Sequence, residues 1–189
     1  MRIIGGTFKG IKIFEAFDKN TRPLKDLVKE SILNILEHSK DNKINLNNSS
    51  VLDLFAGTGS FGLECVSRGS SKVYFVENYH QSIEILEKNI KKLRCEKTTR
   101  IFNEDVFNFF KNEELKNKKM DIIFLDPPYR EENVRLILEN IAKLKLLKNN
   151  GLIVLHRHKK SKDNINDKFN IIRSAKYGIS KIIFIKLTE

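Results

Sequence analysis

The run Val51-Leu-Asp-Leu-Phe-Ala-Gly-Thr-Gly-Ser-Phe-Gly-Leu-Glu64 constrains the fold more than any other part of the chain. Its apolar start reads as a short buried strand, its glycines as a tight turn, and its end as the opening of a helix. Gly57-Thr-Gly59-Ser-Phe-Gly62 satisfies the spacing G-x-G-x-x-G. In a strand–turn–helix unit such glycines let the backbone approach a ligand and seat the helix closely on its strand. A dinucleotide is the first candidate, but Asp53 argues against it. A carboxylate just ahead of the turn would repel a pyrophosphate resting on the helix N-terminus. A ligand carrying an ammonium and a sulfonium, as S-adenosylmethionine does, welcomes that charge. A phosphate-binding loop is excluded because no Gly-Lys followed by Ser or Thr comes after the turn. Glycine-rich turns also arise for packing alone, and that alternative stays open at this point.

The next apolar run, Val73-Tyr-Phe-Val-Glu77, ends in an acid about twenty residues after the turn, the spacing of a carboxylate that binds ribose hydroxyls. An ordinary strand-end acid is the competing reading. Asp105 follows a third candidate strand, Arg100 to Asn103, and could accept from an adenine amino group. A fourth run, Ile122 to Leu125, ends in Asp126-Pro127-Pro128-Tyr129.

The chemistry of that tetrapeptide suits a planar amine. The lone pair of an exocyclic base amine is delocalised into the ring, so methylation requires the nitrogen to move towards tetrahedral geometry. Asp126 can accept one N–H and the Pro127 carbonyl the other. Tandem prolines fix both acceptors in advance, which is electrostatic preorganisation. Tyr129 offers a ring on which a base can stack, worth about 1–3 kcal/mol. Neither a metal nor a covalent intermediate is needed for in-line attack on a sulfonium methyl, which rests on positioning. A strand ended by a rigid turn is the plainer alternative.

From Val51 onward strands and helices alternate, which predicts a parallel, doubly wound α/β sheet. Ile83, Leu86, Ile90 and Leu93 line one helix, and Val134, Ile137, Leu138, Ile141 and Leu144 another. Gly151 to Leu155 reads as a fifth strand. Phe169 to Ile172 and Lys181 to Leu187 read as a final antiparallel pair joined through Tyr177-Gly178. Ahead of the sheet, residues 1–22 read as a small β hairpin and Leu24, Leu27, Val28, Ile32, Ile35 and Leu36 as the apolar face of a helix over 24–38. Asn42 to Ser50 reads as a polar linker, and 111–119 and 159–168 as polar loops. In such a sheet ligands sit beyond the carboxyl ends of the strands, so Asp53, Glu77, Asp105 and Asp126 are expected to converge on one edge.

The net charge of +11 is concentrated near the ends, at Arg2, Lys9, Lys12, Lys19 and Arg22 and again at Arg157, Lys159, Lys160 and Lys162. Clustering of this kind suits a polyphosphate partner, although a Lys-, Asn- and Ile-rich composition also follows from genome base composition. The length of 189 residues allows one well-buried core. No membrane span or signal peptide is visible. Cys65 and Cys95 lack metal-ligand spacing and read as reduced and packed in a cytoplasmic protein, and the four histidines give no metal set.

In these and the following residues the chain resembles the bacterial family of 16S rRNA (guanine(966)-N2)-methyltransferases over nearly its whole length. Arg2-Ile-Ile-Gly-Gly with Lys9-Gly resembles the family's opening. Arg22-Pro-Leu-Lys-Asp-Leu-Val-Lys-Glu30 is similar to its Arg-Pro-Thr-x-Asp-Arg-Val-Arg-Glu signature. Asp53 to Glu64, Asp126 to Tyr129 and Tyr177-Gly178 fall where that family carries its other motifs. The resemblance implies a class I methyltransferase (Rossmann-like) fold: a seven-stranded doubly wound sheet with the last strand antiparallel. On this resemblance, residues 1–23 are expected to form a basic β-hairpin arm and 24–189 the S-adenosylmethionine-dependent domain.

It implies methylation of a guanine N2 amine, guanine 966 of 16S rRNA, during assembly of the small ribosomal subunit, by a monomer. The expected catalytic residues are Asp126, Pro127, Pro128 and Tyr129. The expected cofactor set is Asp53, Phe55, Ala56, Gly57, Thr58, Gly59, Gly62, Glu77, Asn78, Asp105 and Val106, and the expected RNA contacts are Arg2, Lys9, Lys12 and Arg22. Leu24, Leu27 and Lys29 depart from the family signature. His156 stands where an acid is common. These departures are expected to affect RNA contacts and to leave the methyl-transfer centre untouched.

Three other functions fit parts of the pattern. One is methylation of another amine, an adenine N6 in DNA or a protein glutamine; glutamine modifiers usually carry Asn at the Asp126 position, and a DNA enzyme usually needs a larger recognition region. A non-catalytic RNA-binding assembly factor is the second. A nicotinamide oxidoreductase is the third, and no hydride-transfer pocket with its own proton donor is visible for it.

Overall fold

A computed structural model describes residues 1–16, 24–39, 44–115 and 117–188. The elements run α1 (Asp26–His38), β1 (Ser50–Leu54), α2 (Ser60–Ser67), β2 (Lys72–Glu77), α3 (His80–Leu93), β3 (Thr99–Asn103), α4 (Val106–Phe109), β4 (Met120–Leu125), α5 (Val134–Lys143), β5 (Leu147–His158), β6 (Phe169–Tyr177) and β7 (Ser180–Leu187). One seven-stranded sheet has the order β3-β2-β1-β4-β5-β7-β6. The strands from β3 to β5 pair in parallel, and β7 is antiparallel to both β5 and β6. The doubly wound α/β sheet with an antiparallel last strand is therefore as expected. The order reverses between β1 and β4, the place where such sheets open a ligand crevice.

The middles of the central strands are apolar because both faces are covered. Val51, Val73, Phe75, Ile122, Phe124, Leu152 and Val154 pack with α1, α2 and α3 on one face. The alternate residues Leu52, Leu54, Val76, Ile123, Leu125, Ile153 and Leu155 pack with α4 and α5 on the other. Phe61 of α2 stacks on Phe124 of β4 with ring centroids 4.0 Å apart, a pairing worth about 0.5–1.5 kcal/mol beyond its burial.

Several boundaries differ from the sequence reading. Strand β5 begins at Leu147 and carries a register shift against β4, so Asn149 and Asn150 stand exposed on its bulged start. The segment ahead of β1 is not simply a polar linker, because Ile44 and Leu46 are buried in the core. On α1, Leu27 is 67% exposed, whereas Lys29 and Leu33 are fully buried. Leu144, expected on the α5 face, lies beyond the helix at 38% exposure.

The expected N-terminal hairpin is a looser arm. Its bridge pairs Arg2 with Lys12, and the N–H groups of Ile3 and Gly10 donate to the carbonyls of Ile11 and Ile3 at 3.0 and 2.8 Å. The buried Glu64 carboxylate of α2 ties it down, accepting from the N–H groups of Ile4 and Gly5 at 2.8 and 2.7 Å. Lys29 Nζ lies 3.4 Å from that carboxylate and donates to the Arg2 carbonyl at 3.0 Å. Both members of this pair are wholly buried. Lys19, Arg22 and the expected end of the arm at residue 23 lie outside the described residues.

Candidate active site

Alternation along each strand decides which side chains meet at the carboxyl edge of the sheet. Asp53 follows Val51 by two residues, Glu77 follows Phe75, Asp126 follows Phe124, and His156 follows Val154. All four therefore continue the face packed against α2 and α3. Register brings the tips together: Leu54 pairs with Val76 on one side and Leu125 on the other, and the Asp126 N–H lies 3.4 Å from the Leu54 carbonyl.

Asp53 is 1% exposed. Its Oδ2 accepts from the Gly62 N–H of α2 at 2.9 Å. Its Oδ1 is buried with no hydrogen-bond partner among the described residues. Burial pushes its carboxyl well above the ordinary aspartate range against the opposing effect of the Gly62 N–H, and the charges of Asp126 and Glu77 push it further. A buried acceptor without a donor, held close to two more carboxylates, is a place for a cationic group.

The turn after β1 alternates left-handed and ordinary backbone, with φ of 63° at Phe55, 55° at Gly57 and 85° at Gly59. A Cβ at Gly57 would meet nothing within 4 Å, so this glycine faces open space at the sheet edge. At Gly62 a Cβ would stand 2.2 Å from Phe75, so this glycine is needed for α2 to sit on β2. Ala56 donates its N–H to the Val76 carbonyl at 3.0 Å. The buried Thr58 is held through its carbonyl, 3.1 Å from the Asn89 amide.

Glu77 braces the turn, accepting from the Gly57 N–H at 2.7 Å and from the N–H groups of Asn78 and Tyr79 at 2.9 Å each. Asp105 caps α4 through Oδ1, which accepts from the Phe107 N–H at 2.8 Å. The Val106 side chain is buried in the core beside Phe102 and Phe109 and offers only its backbone to the edge.

At the tip of β4, Pro127 is buried, Pro128 exposed and Tyr129 half-buried. The Tyr129 ring stands edge-on to His158 at 5.1 Å and to His156 at 6.5 Å. Asp126 Oδ1 lies 2.7 Å from His156 Nδ1. Arg157 grips the same loop, donating to the carbonyls of Pro128 and Glu131 at 3.0 and 2.8 Å. Two sequence expectations are corrected here. Arg157 is not part of a surface cluster, because it is buried in β5 and paired with Asp163 at 2.8 Å. His156, expected to stand apart from the methyl-transfer centre, is bonded to Asp126.

A family model described as "Conserved hypothetical protein 95" matches residues 1–186. The chain belongs to this family. In the Conserved hypothetical protein 95 family it is similar to "Putative rRNA methyltransferase YlbH" of Bacillus subtilis, at 30% identity over 98% of each chain. It is likewise similar to Ribosomal RNA small subunit methyltransferase D of Haemophilus influenzae, at 30% identity over 95% of this chain and 90% of the relative. Among solved structures, the hypothetical protein TTHA0928 of Thermus thermophilus superposes with a TM-score of 0.80 at 21% identity, over 99% of each chain. That likeness bears on the fold.

Sequence reasoning missed several residues that shape the site in this member of the Conserved hypothetical protein 95 family. Asn89 reads from the sequence only as part of a helix. Its buried amide accepts from the Phe14 N–H at 2.7 Å and donates to the Phe14 and Thr58 carbonyls, pinning the arm's exit to the glycine turn. An Asn in the buried stripe of α3 was the available signal. Glu64 and Lys29 carried a similar one, charged residues at positions that the helical period turns inward. Arg2, Lys9 and Lys12 are all exposed on the arm, as are Lys159, Lys160 and Lys162 after β5.

Proposed function

We propose that this chain transfers the methyl group of S-adenosylmethionine to the exocyclic N2 amine of a guanine in small-subunit rRNA, guanine 966 by resemblance. One observation carries the reading: the orphaned Asp53 oxygen and the open Gly57 turn stand at the tip of β1, and the Asp126-Pro-Pro-Tyr loop stands beside them at the tip of β4. The names of the relatives, rRNA methyltransferases from two bacteria, support methyl transfer to rRNA.

The residues present fit the cofactor. Asp53 Oδ1 lacks a donor that an ammonium would supply. Gly57 leaves room for a ligand against the backbone, and Glu77 and Asp105 hold carboxylates at the next two strand ends. When bound, S-adenosylmethionine supplies an electrophilic methyl on a positive sulfur. The protein's part is to bind, orient and desolvate. Asp126 Oδ2, which takes no hydrogen bond among the described residues, accepts one N–H of the guanine amine. The Pro127 carbonyl accepts the second, so the lone pair points along the line of attack. Tyr129, braced by His158, carries the base. The proton lost after attack leaves towards the Asp126 carboxylate and solvent.

Arg2, Lys9 and Lys12 on residues 1–23 steer the phosphate backbone, with the lysines after β5 extending the basic surface. In this reading the enzyme acts in the cytoplasm, as a monomer, on a small ribosomal subunit during its assembly. No helix among the described residues is long and apolar enough to cross a membrane.

The test is transfer of labelled methyl from S-adenosylmethionine to small subunits from cells lacking the modification, followed by digestion and mapping. Label in N2-methylguanine at one position is the expected result. Label only in adenine, only in protein, or nowhere refutes it, and calorimetry without heat of cofactor binding would point to a non-catalytic assembly factor instead.

A further inference from the structure

We propose that His156 is a positioning residue that fixes the Asp126 carboxylate for amine recognition, with Ser180 setting the tautomer of its imidazole. The inference rests on the reading of Asp126 as the acceptor for the amine. Leu125 of β4 pairs with Leu155 of β5, so Asp126 and His156 are the next residues on adjacent strands and continue the same face. The imidazole is 4% exposed and engaged at both ends: Nδ1 lies 2.7 Å from Asp126 Oδ1, and Nε2 lies 2.9 Å from Ser180 Oγ.

An ionised carboxylate only accepts, so Nδ1 carries the hydrogen in this contact. In the neutral ring Nε2 then has a lone pair, which the hydroxyl of the buried Ser180 fills as donor. The serine thus selects the tautomer that presents N–H to Asp126. With Oδ1 held, Asp126 turns one defined oxygen, Oδ2, to the substrate. Arg157, on the opposite face of the same strand, holds the Pro128 and Glu131 carbonyls. Two consecutive β5 residues therefore fix the acceptor loop from both sides, one through the carboxylate and one through the backbone.

The experiment compares steady-state and single-turnover methyl transfer for wild type, His156→Ala, His156→Phe, His156→Asn, Ser180→Ala and Asp126→Ala, with cofactor affinity measured by calorimetry. Loss of placement at a reacting group costs about 10–10²-fold in rate. His156→Ala and His156→Phe are expected to lose turnover on that scale, with KM for rRNA and the cofactor Kd changed by less than about twofold, since only the reacting geometry is disturbed. The Asn amide places an N–H where Nδ1 stood, so His156→Asn is expected to recover most of the turnover. Ser180→Ala should fall between the two.

His156→Phe fills the space without a donor and keeps the test valid where the Ala variant fails to fold. Wild-type turnover in His156→Phe, or no recovery in His156→Asn, overturns the proposal while an inactive Asp126→Ala leaves the reaction assignment standing. A loss confined to cofactor affinity also overturns it, because that marks a merely structural role. Wild-type turnover in Ser180→Ala removes the part assigned to the serine. Full activity in Asp126→Ala refutes the acceptor reading itself, and this role with it.

Discussion

Replacing Asp53 with asparagine separates what this residue does for the ligand from what it does to the free protein. The amide keeps an acceptor for the Gly62 N–H and still leaves one polar atom without a partner, so the difference between the two proteins is the charge. In the wild type, ionising Asp53 works against burial and against Asp126 and Glu77. Its carboxyl is raised above the unfolded value of about 3.9. The group's contribution to stability is therefore fully present below that value and lost as pH rises through the elevated folded value. Asp53→Asn removes this loss. Relief at a site kept unfavourable for function is commonly worth about 0.5–2 kcal/mol. At roughly 3 °C per kcal/mol for a chain of this size, the ligand-free variant should melt about 1.5–6 °C higher at neutral pH and above.

The cofactor should respond in the opposite sense. A charge-assisted hydrogen bond is worth about 1.5–3 kcal/mol, so Asp53→Asn should bind S-adenosylmethionine about 10- to 150-fold more weakly. A cationic ligand favours the ionised carboxylate, so wild-type affinity should also climb with pH until Asp53 is ionised in the free protein. The variant should lack that climb. Differential scanning calorimetry of the free proteins and titration calorimetry over roughly pH 5 to 9 measure both effects. A variant that melts lower than wild type, or that binds the cofactor with unchanged affinity, refutes the reasoning.

Three further outcomes are expected. Asp126→Ala should lose turnover while keeping cofactor affinity, because its contacts strengthen only as the amine attacks; equal losses in both, measured with labelled donor and by calorimetry, would contradict this. Lys9→Glu should weaken RNA capture at low salt and lower the slope of log affinity against log salt by about 1 or more in a filter-binding series. Glu64→Ala takes the buried carboxylate from Lys29, leaving it the half-exposed Asp26 at 3.6 Å, and the acceptor from two arm N–H groups, a change that typically costs about 3–5 kcal/mol. Thermal melting should fall by about 9–15 °C, and amide exchange should accelerate over residues 2 to 13.

The carboxyl edge of the sheet was legible in the sequence because it depends on short-range rules. An apolar run of four or five residues ending in an acid gives a buried strand with a carboxylate at its tip, and parallel order puts those tips on one side. The expected positions of Asp53, Glu77 and Asp126 follow from that rule, whereas Asp105 stands two residues beyond the mixed strand β3 and caps α4. The arm resisted such reading because its structure is tertiary. Ile3 and Ile13 gave a hairpin-like pattern, but a wholly buried carboxylate some sixty residues away, Glu64, holds the segment through its N–H groups. Leu27 misled for a related reason: it has the hydrophobicity of a core position, but Lys29 takes the inward place to reach Glu64. Arg157 sits among lysines in sequence, and only the continuation of β5 to His158 shows that it is buried.

The same alternation that gathers Asp53, Glu77 and Asp126 on one face also sets them against one another, and the neighbours answer each differently. Glu77 is satisfied by three backbone N–H groups of the turn and of the start of α3. Asp126 is answered by the His156 ring. Asp53 receives one N–H from Gly62 and nothing on its second oxygen among the described residues. The close seating of α2, with Gly62 against Phe75, holds the Gly62 N–H on the first oxygen and leaves the second for a donor from outside the chain. A fold under selection for stability alone would fill this position with Asn or an apolar residue. Keeping an uncompensated carboxylate between two others makes sense where a cationic ligand completes the set, with the strongest demand for positive charge at the tip of β1, next to the loop that holds the acceptor.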